Sequence, residues 1–387
     1  MVQILLPRKE KLLKSASNTF LGIDWILFLA ILPLLGAGLL AMSSFVGDNY
    51  FFTRQVLWIF VAILVFFSFS LIDWRFLRRS DILITLFILG VLSLLLLFLF
   101  GHSAGGAQSW FRLGSFSFQP SDPMKIILIL VLAKYFSRRH IEIANMKHIV
   151  VSGLYAFVPT ILVLLQPDFG SALIIFTIWL GMIIVSGVSK KHLALVFAVG
   201  LLAIGFLWGF AFEDYQKQRI LTFVHPLADM QGVGYNAYQS TIAVGSGEVF
   251  GKGIGYGTQS RLSFLPEHET DFIFAAFVEE WGFMGALILF FLFGVVLWRI
   301  LHNASLGAGN FEILFGVGVA IYLMTHFTIH VGMNIGLLPV TGTTLPFLSY
   351  GGSHLVTEFA ALGILMGMRR YRRTAHKEMM ENEFIGV

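Results

Sequence analysis

Ten apolar runs, most of them long enough to cross a bilayer as helices, divide this chain. They lie at about 23–45, 53–72, 81–101, 122–137, 148–165, 170–188, 191–211, 272–299, 311–333 and 352–369. A membrane helix needs roughly 17–25 predominantly apolar residues. Only 12% of the 387 residues are charged and 57% are hydrophobic, whereas a soluble domain is about a quarter charged. No polar stretch is long enough to close a core of its own. The expected fold is therefore an all-α polytopic membrane protein, one transmembrane domain over 1–387. Its parts are a cytoplasmic segment at 1–22, a large extracytoplasmic loop at 212–271 between helices seven and eight, and a cytoplasmic tail at 370–387.

Charge placement sets the orientation. Basic residues concentrate in cytoplasmic loops of membrane proteins. Placing both termini in the cytoplasm puts 19 of the 26 Lys and Arg residues inside, in clusters at every second loop: 8–14, 75–79, 134–147, 190–191, 299 and 369–377. The outer side then keeps Arg54, Arg112, Lys125, Lys217, Arg219, Lys252 and Arg261. The basic stretch at Arg8–Lys14 precedes an apolar run with no cleavage-like ending, so it is expected to stay attached. Cysteine is absent, which excludes disulfides and thiol chemistry.

This orientation gathers the polar punctuation on the outer face, at 102–121, at the Gln-Pro-Asp-Phe-Gly turn of 166–170, at 212–271 and at 334–351. The cytoplasmic loops are short and basic, with no P-loop. Gly-Lys-Gly-Ile-Gly-Tyr-Gly at 251–257 has the look of a dinucleotide loop, but it follows no βαβ pattern and lies outside, so a nucleotide site is rejected.

The stretch 246–282 (SGEVFGKGIGYGTQSRLSFLPEHETDFIFAAFVEEWG) carries the strongest chemical signal. Its glycines cannot form a stable helix, a polar run Glu267-His268-Glu269-Thr270-Asp271 follows, and an apolar helix starts at once. A carboxylate at the mouth of a membrane helix is costly and points to function; its structural alternative is a helix cap from Thr270 or Asp271. Glu279 falls nearer the face of Asp271 than Glu280 does, and the structural reading of both is buried hydrogen bonding between helices. Asp122 and Lys125 pair at i, i+3 as the fourth span opens, which presents a cation to an anionic ligand or is a simple interface pair. Asp168 is placed to cap the sixth helix. His326 and His330 stand at i, i+4, but without an acidic partner they read as bundle-interior hydrogen bonding rather than a metal site.

Taken in order, the runs RLGSFSFQPSDPMK, QPDFGSA, GYNAYQSTIAVGSGEVFGKG, GTQSRLSFLPEHETDFIFA and GLLPVTGTTLPFLSYGGS resemble the signatures of the SEDS family (shape, elongation, division and sporulation) over residues 23–370. FGKGIGYGTQSRLSFLPE is more similar to the RodA members than to the FtsW members. The resemblance implies a ten-helix glycosyltransferase of the bacterial cytoplasmic membrane. Such an enzyme polymerises lipid II into peptidoglycan during elongation, with a class B penicillin-binding protein and other elongation-complex proteins as partners and no nucleic acid. It implies Asp271 as the catalytic carboxylate. Lys125, Asp122, Gln119, Arg112, Arg219, Lys252, Glu267 and Asp168 become the substrate-binding candidates. Two departures stand out: Asp122 occupies a usual Glu position, and Thr344 and His354 replace a usual Pro and Ser. No cofactor is required by the sequence, although a divalent cation, Mg or Mn, would suit the pyrophosphate. The rival readings are a lipid II transporter, an FtsW-like division polymerase and a recruiting scaffold. A transporter needs gates on both sides, and a scaffold has no need of intramembrane charge.

Overall fold

The structure is a computed structural model that describes residues 22–44, 50–104, 107–114, 116–138, 146–210, 233–262 and 264–385, together with Lys217, Leu221 and Phe223. Its helices in chain order are α1 (Trp25–Ser44), α2 (Tyr50–Leu71), α3 (Ser80–Phe100), α4 (Ser121–Ser137), α5 (Met146–Leu164), α6 (Phe169–Val185) and α7 (Lys190–Phe210). There follow α8 (Val233–Ser246), the single turn α9 (Thr258–Arg261), α10 (Ile273–Ser305), α11 (Asn310–Asn334) and α12 (Gly352–Ile385). A helix thus lies over each of the ten apolar runs. Among the described residues six of them, α1, α2, α3, α5, α10 and α11, are long and apolar enough to cross a membrane. Large apolar side chains cover the outside of the bundle: Leu99 is 74% exposed and Phe210 is 82% exposed. Such a surface suits hydrocarbon and not water, and the chain is a multi-pass membrane protein.

The expectation of an all-helical chain needs one correction. The 102–121 stretch forms a three-stranded antiparallel sheet of β1 (His102–Ala104), β2 (Ala107–Leu113) and β3 (Phe116–Phe118). Phe111 faces Phe118 and Leu113 faces Phe116 across β2 and β3. A short run of alternating aromatic and polar residues favours this pairing over a loop, and Gly114, at φ 60°, supplies the reversal.

Helix α11 is buried on nearly every side and packs against α10, α4 and α6. Helix α12 runs along α2, so closely that Trp58 lies against Gly352, where any Cβ would collide with the indole. At the end of the bundle remote from the sheet, Asp24 accepts from Arg299 Nη2 at 2.6 Å and from Asn303 Nδ2 at 2.7 Å, pinning α1 to α10. Charges buried this far need such pairing to be tolerated.

Helix α10 is broken near its start. Gly282 has φ 66° and ψ −168°, a conformation open essentially to glycine alone. The glycine loop fills the break. Phe283 and Met284 N–H groups donate to the Glu248 and Val249 carbonyls at 2.9 and 3.0 Å, while Lys252 and Gly253 donate to the Glu279 and Glu280 carbonyls, both at 3.0 Å. Backbone groups freed by a helix break must find partners, and here the loop provides them.

Candidate active site

The sheet, the 166–168 turn, the 267–271 segment and the 341–352 segment meet at one end of the bundle. Between them lies a cavity of about 470 Å³. Its lining includes Arg112, Gln119, Asp122, Lys125, Asp168, Glu267 and Asp271, together with Tyr350, His326 and His354. Seven of the nine residues singled out by sequence therefore come together, from four separate stretches of chain.

The segment that carries Asp271 is fixed by its backbone. Glu267 has a positive φ of 50°, and its carbonyl accepts from the N–H groups of Thr270, Asp271 and Phe272 at 3.2, 3.0 and 3.1 Å. The Glu269 carbonyl accepts from Tyr350 N–H at 2.9 Å, the Thr270 carbonyl from Ser349 Oγ at 2.7 Å, and the Asp271 carbonyl from Asn334 Nδ2 at 3.0 Å. Non-glycine residues at positive φ survive only where the surroundings hold them. Phe272, not Asp271, occupies the cap position of α10, and no side chain caps it. The half-buried Asp271 carboxylate lines the cavity beside Gly342, where an added Cβ would stand 3.3 Å from Oδ2. Tyr350 lines the same wall; burial pushes its phenol above the usual value and keeps the hydroxyl protonated.

The floor is a different environment. Lys125 Nζ lies 3.0 Å from Asp122 Oδ1, the predicted i, i+3 pair, and both side chains are almost wholly buried. His326 Nε2 stands 3.5 Å from the same ammonium. Helix α12 adds His354, whose Nδ1 is 3.6 Å from Asp122 Oδ1 and whose Nε2 is 3.0 Å from Glu358 Oε1. Two positions at which the chain departs from the family motifs, Asp122 and His354, therefore face each other.

On the walls, Asp168 caps α6 by accepting from Ser171 N–H at 2.9 Å, and it also accepts from Gln119 Nε2 at 2.8 Å. Arg112 Nη1 lies 3.3 Å from His102 Nε2 at the sheet. Two candidates are elsewhere. Lys252 lies outside the cavity lining, with Nζ 2.7 Å from Glu279 Oε1; Arg219 lies outside the described residues. Glu279 turns to the glycine loop and the start of α9 rather than to another long helix, accepting from the N–H groups of Thr258 and Gln259 at 2.8 and 3.0 Å as well as from Lys252. His326 and His330 direct Nδ1 to the carbonyls of Thr344 and Thr343, at 3.3 and 2.6 Å, in agreement with interior hydrogen bonding. Among the described residues no group of three His, Asp or Glu side chains is arranged to hold a metal ion. Sequence reading missed His354 and Glu358. The signal was present: two titratable residues at i, i+4 in an otherwise apolar final span.

Comparison with known proteins identifies the family. The family model described as cell cycle protein FTSW_RODA_SPOVE matches residues 18–374. The peptidoglycan glycosyltransferase MrdB of Escherichia coli K12 is 37% identical over 294 residues, covering 76% of this chain and 79% of that protein. Among solved structures, the rod shape determining protein RodA of Thermus thermophilus superposes with a TM-score of 0.68 at 28% identity, over 90% of this chain and 97% of that one. A chain from a structure of a peptidoglycan synthase complex, described as coordinating polymerization and crosslinking, superposes with a TM-score of 0.78 at 30% identity, over 90% of this chain and 98% of that one.

Proposed function

This chain belongs to the FtsW, RodA and SpoVE family, and from that premise we propose that it is a peptidoglycan glycosyltransferase that polymerises lipid II during cell elongation. The supporting observation is that the Asp271 carboxylate and the Lys125 ammonium line one cavity. In this reading ten helices cross the bacterial cytoplasmic membrane as a single domain with both termini in the cytoplasm, and the cavity opens outward. The Asp271 carboxylate accepts the proton of the acceptor sugar hydroxyl as that oxygen attacks the donor anomeric carbon. The glycosidic bond forms, the bond to the pyrophosphate breaks, and undecaprenyl diphosphate leaves with the charge that Lys125 and Arg112 stabilise. Gln119 and Asp168, bonded to each other on the wall, orient the sugars. A class B penicillin-binding protein crosslinks the product.

The test is glycan-chain formation from purified lipid II in detergent, with and without a class B penicillin-binding protein. Wild-type protein yields polymer, and Asp271→Ala yields none while remaining monodisperse. A folded wild type that makes no polymer under either condition overturns the assignment and redirects attention to lipid II translocation.

A further inference from the structure

Three histidines lie under the cavity, and their surroundings give them different protonation states. His326 and His330 each point Nδ1 at a backbone carbonyl, so Nδ1 carries the proton. His326 then offers a lone pair at Nε2 to the Lys125 ammonium and is neutral. His354 has a carboxylate at each end, Asp122 Oδ1 at 3.6 Å from Nδ1 and Glu358 Oε1 at 3.0 Å from Nε2. A neutral imidazole has one N–H and one lone pair, so one nitrogen would aim a lone pair at a carboxylate oxygen. Neither contact is a formed hydrogen bond, the first being long and Nε2 and Oε1 having no hydrogen-bond partner; a carboxylate beside each nitrogen nonetheless favours the charged ring over the neutral one. Tyr322 from α11 stands with its hydroxyl 3.3 Å from Nδ1.

The charges then close. Asp122 and Glu358 are negative, Lys125 and His354 positive, and none of the four is more than 6% exposed. Oδ1 of Asp122 is shared between Lys125 and His354, while its Oδ2, also buried, has no hydrogen-bond partner. An uncompensated charge in such a place is strongly unfavourable. Remove the imidazolium and the quartet carries one surplus negative charge directly under the cavity, which repels an anion entering from above.

We propose that His354 is a positioning residue for an anionic ligand: by taking a share of Asp122 and all of Glu358, it leaves the Lys125 ammonium able to serve a diphosphate group at the cavity floor. The proposal rests on the preceding functional reading for the identity of that ligand as a lipid diphosphate.

The experiment compares His354→Gln, Glu358→Gln and the double variant in purified full-length protein, reading binding of undecaprenyl diphosphate and the thermal midpoint in detergent. His354→Gln is expected to weaken binding by about tenfold or more, since a unit charge a few Å away acts through a low effective dielectric. Glu358→Gln is expected not to weaken binding, because His354 keeps Asp122 beside it and no negative charge is added under the cavity. The double variant, again neutral, returns to within about threefold of wild type, a rescue that loss of packing alone cannot produce. Wild-type binding by His354→Gln, a double variant no better than His354→Gln, or no binding even by wild type each overturns the proposal. Should His354→Gln not be recovered folded, folded and ligand-binding double variant supports it and failure of the double variant refutes it. Binding and rescue without polymer formation by wild type would instead refute the glycosyltransferase reading and leave this inference standing.

Discussion

Asp271 and Glu279 belong to one motif and meet opposite fates. Glu279 is fully buried, and its oxygens accept from Lys252, from the hydroxyl and N–H of Thr258, and from the N–H groups of Gln259 and Ser260. It acts as the anion for the N-terminus of α9, a place where a negative charge is favoured. Asp271 is half-buried and lines a cavity, and the segment around it is secured through backbone carbonyls. The contrast separates two uses of an intramembrane carboxylate. One holds a loop in a helix break; the other is held, so that its side chain is presented. Both are carboxylates of one stretch of chain, and burial and partners together tell them apart.

The sharpest way to break this comparison is to neutralise each carboxylate in turn without changing its shape. Asp271→Asn is expected to lower polymerisation by about a thousandfold or more, within the range for a lost general base and its accompanying charge, with an unchanged thermal midpoint. Ordinary polymerisation by Asp271→Asn would remove the proton-acceptor role. Glu279→Gln is expected to show the inverse pattern. Its cost is about 3 kcal/mol of stability, because the Lys252 ammonium and several N–H groups lose a charged acceptor. Thermal melting and protease sensitivity at 248–261 would report it, while protein that stays folded retains activity within about tenfold. Gly282→Ala tests the break itself. An added Cβ would press on the Phe250 and Val249 backbone, both 2.6 Å away, in a conformation that disfavours any side chain. A loss of about 2 kcal/mol is expected, read as a lower thermal midpoint.

The positions of the helices were legible because apolar run length is a local signal, and the polar loop motifs were legible as a group because they recur on alternate loops. The Lys125–Asp122 pair was likewise local, set by i, i+3 spacing. What could not be read was partnership across the chain. Nothing in the spacing of Lys252 says that its ammonium reaches Glu279 across 27 residues, or that His354 reaches Asp122 from the last helix. The break at Gly282 was hidden for the same reason: the residues that satisfy its backbone lie in the glycine loop, and Gly282 is one of three glycines in an apolar helix, with nothing local to single it out. The sheet at 102–118 was obscured by its brevity, three strands carrying only a few alternating residues each.

Lys252 offers the finest test, because sequence and geometry assign it different work. Its position among outer-face cations suggested a phosphate ligand, while its place beside Glu279, with Nζ also 2.8 Å from Thr258 Oγ1, makes it part of the loop clasp. Lys252→Met keeps the length of the side chain and removes the charge. Glu279 would retain its N–H donors and the Thr258 hydroxyl, and the Lys252 side chain is 28% exposed, so the lost pair is screened in part. The expected change is a loss of stability of about 1 kcal/mol or less, with the KM for lipid II within about threefold of wild type. A tenfold rise in KM at an unchanged thermal midpoint would mean that Lys252 leaves Glu279 to meet the substrate. The division between a carboxylate that holds and one that is presented would then give way to a loop that exchanges its partner when the ligand arrives.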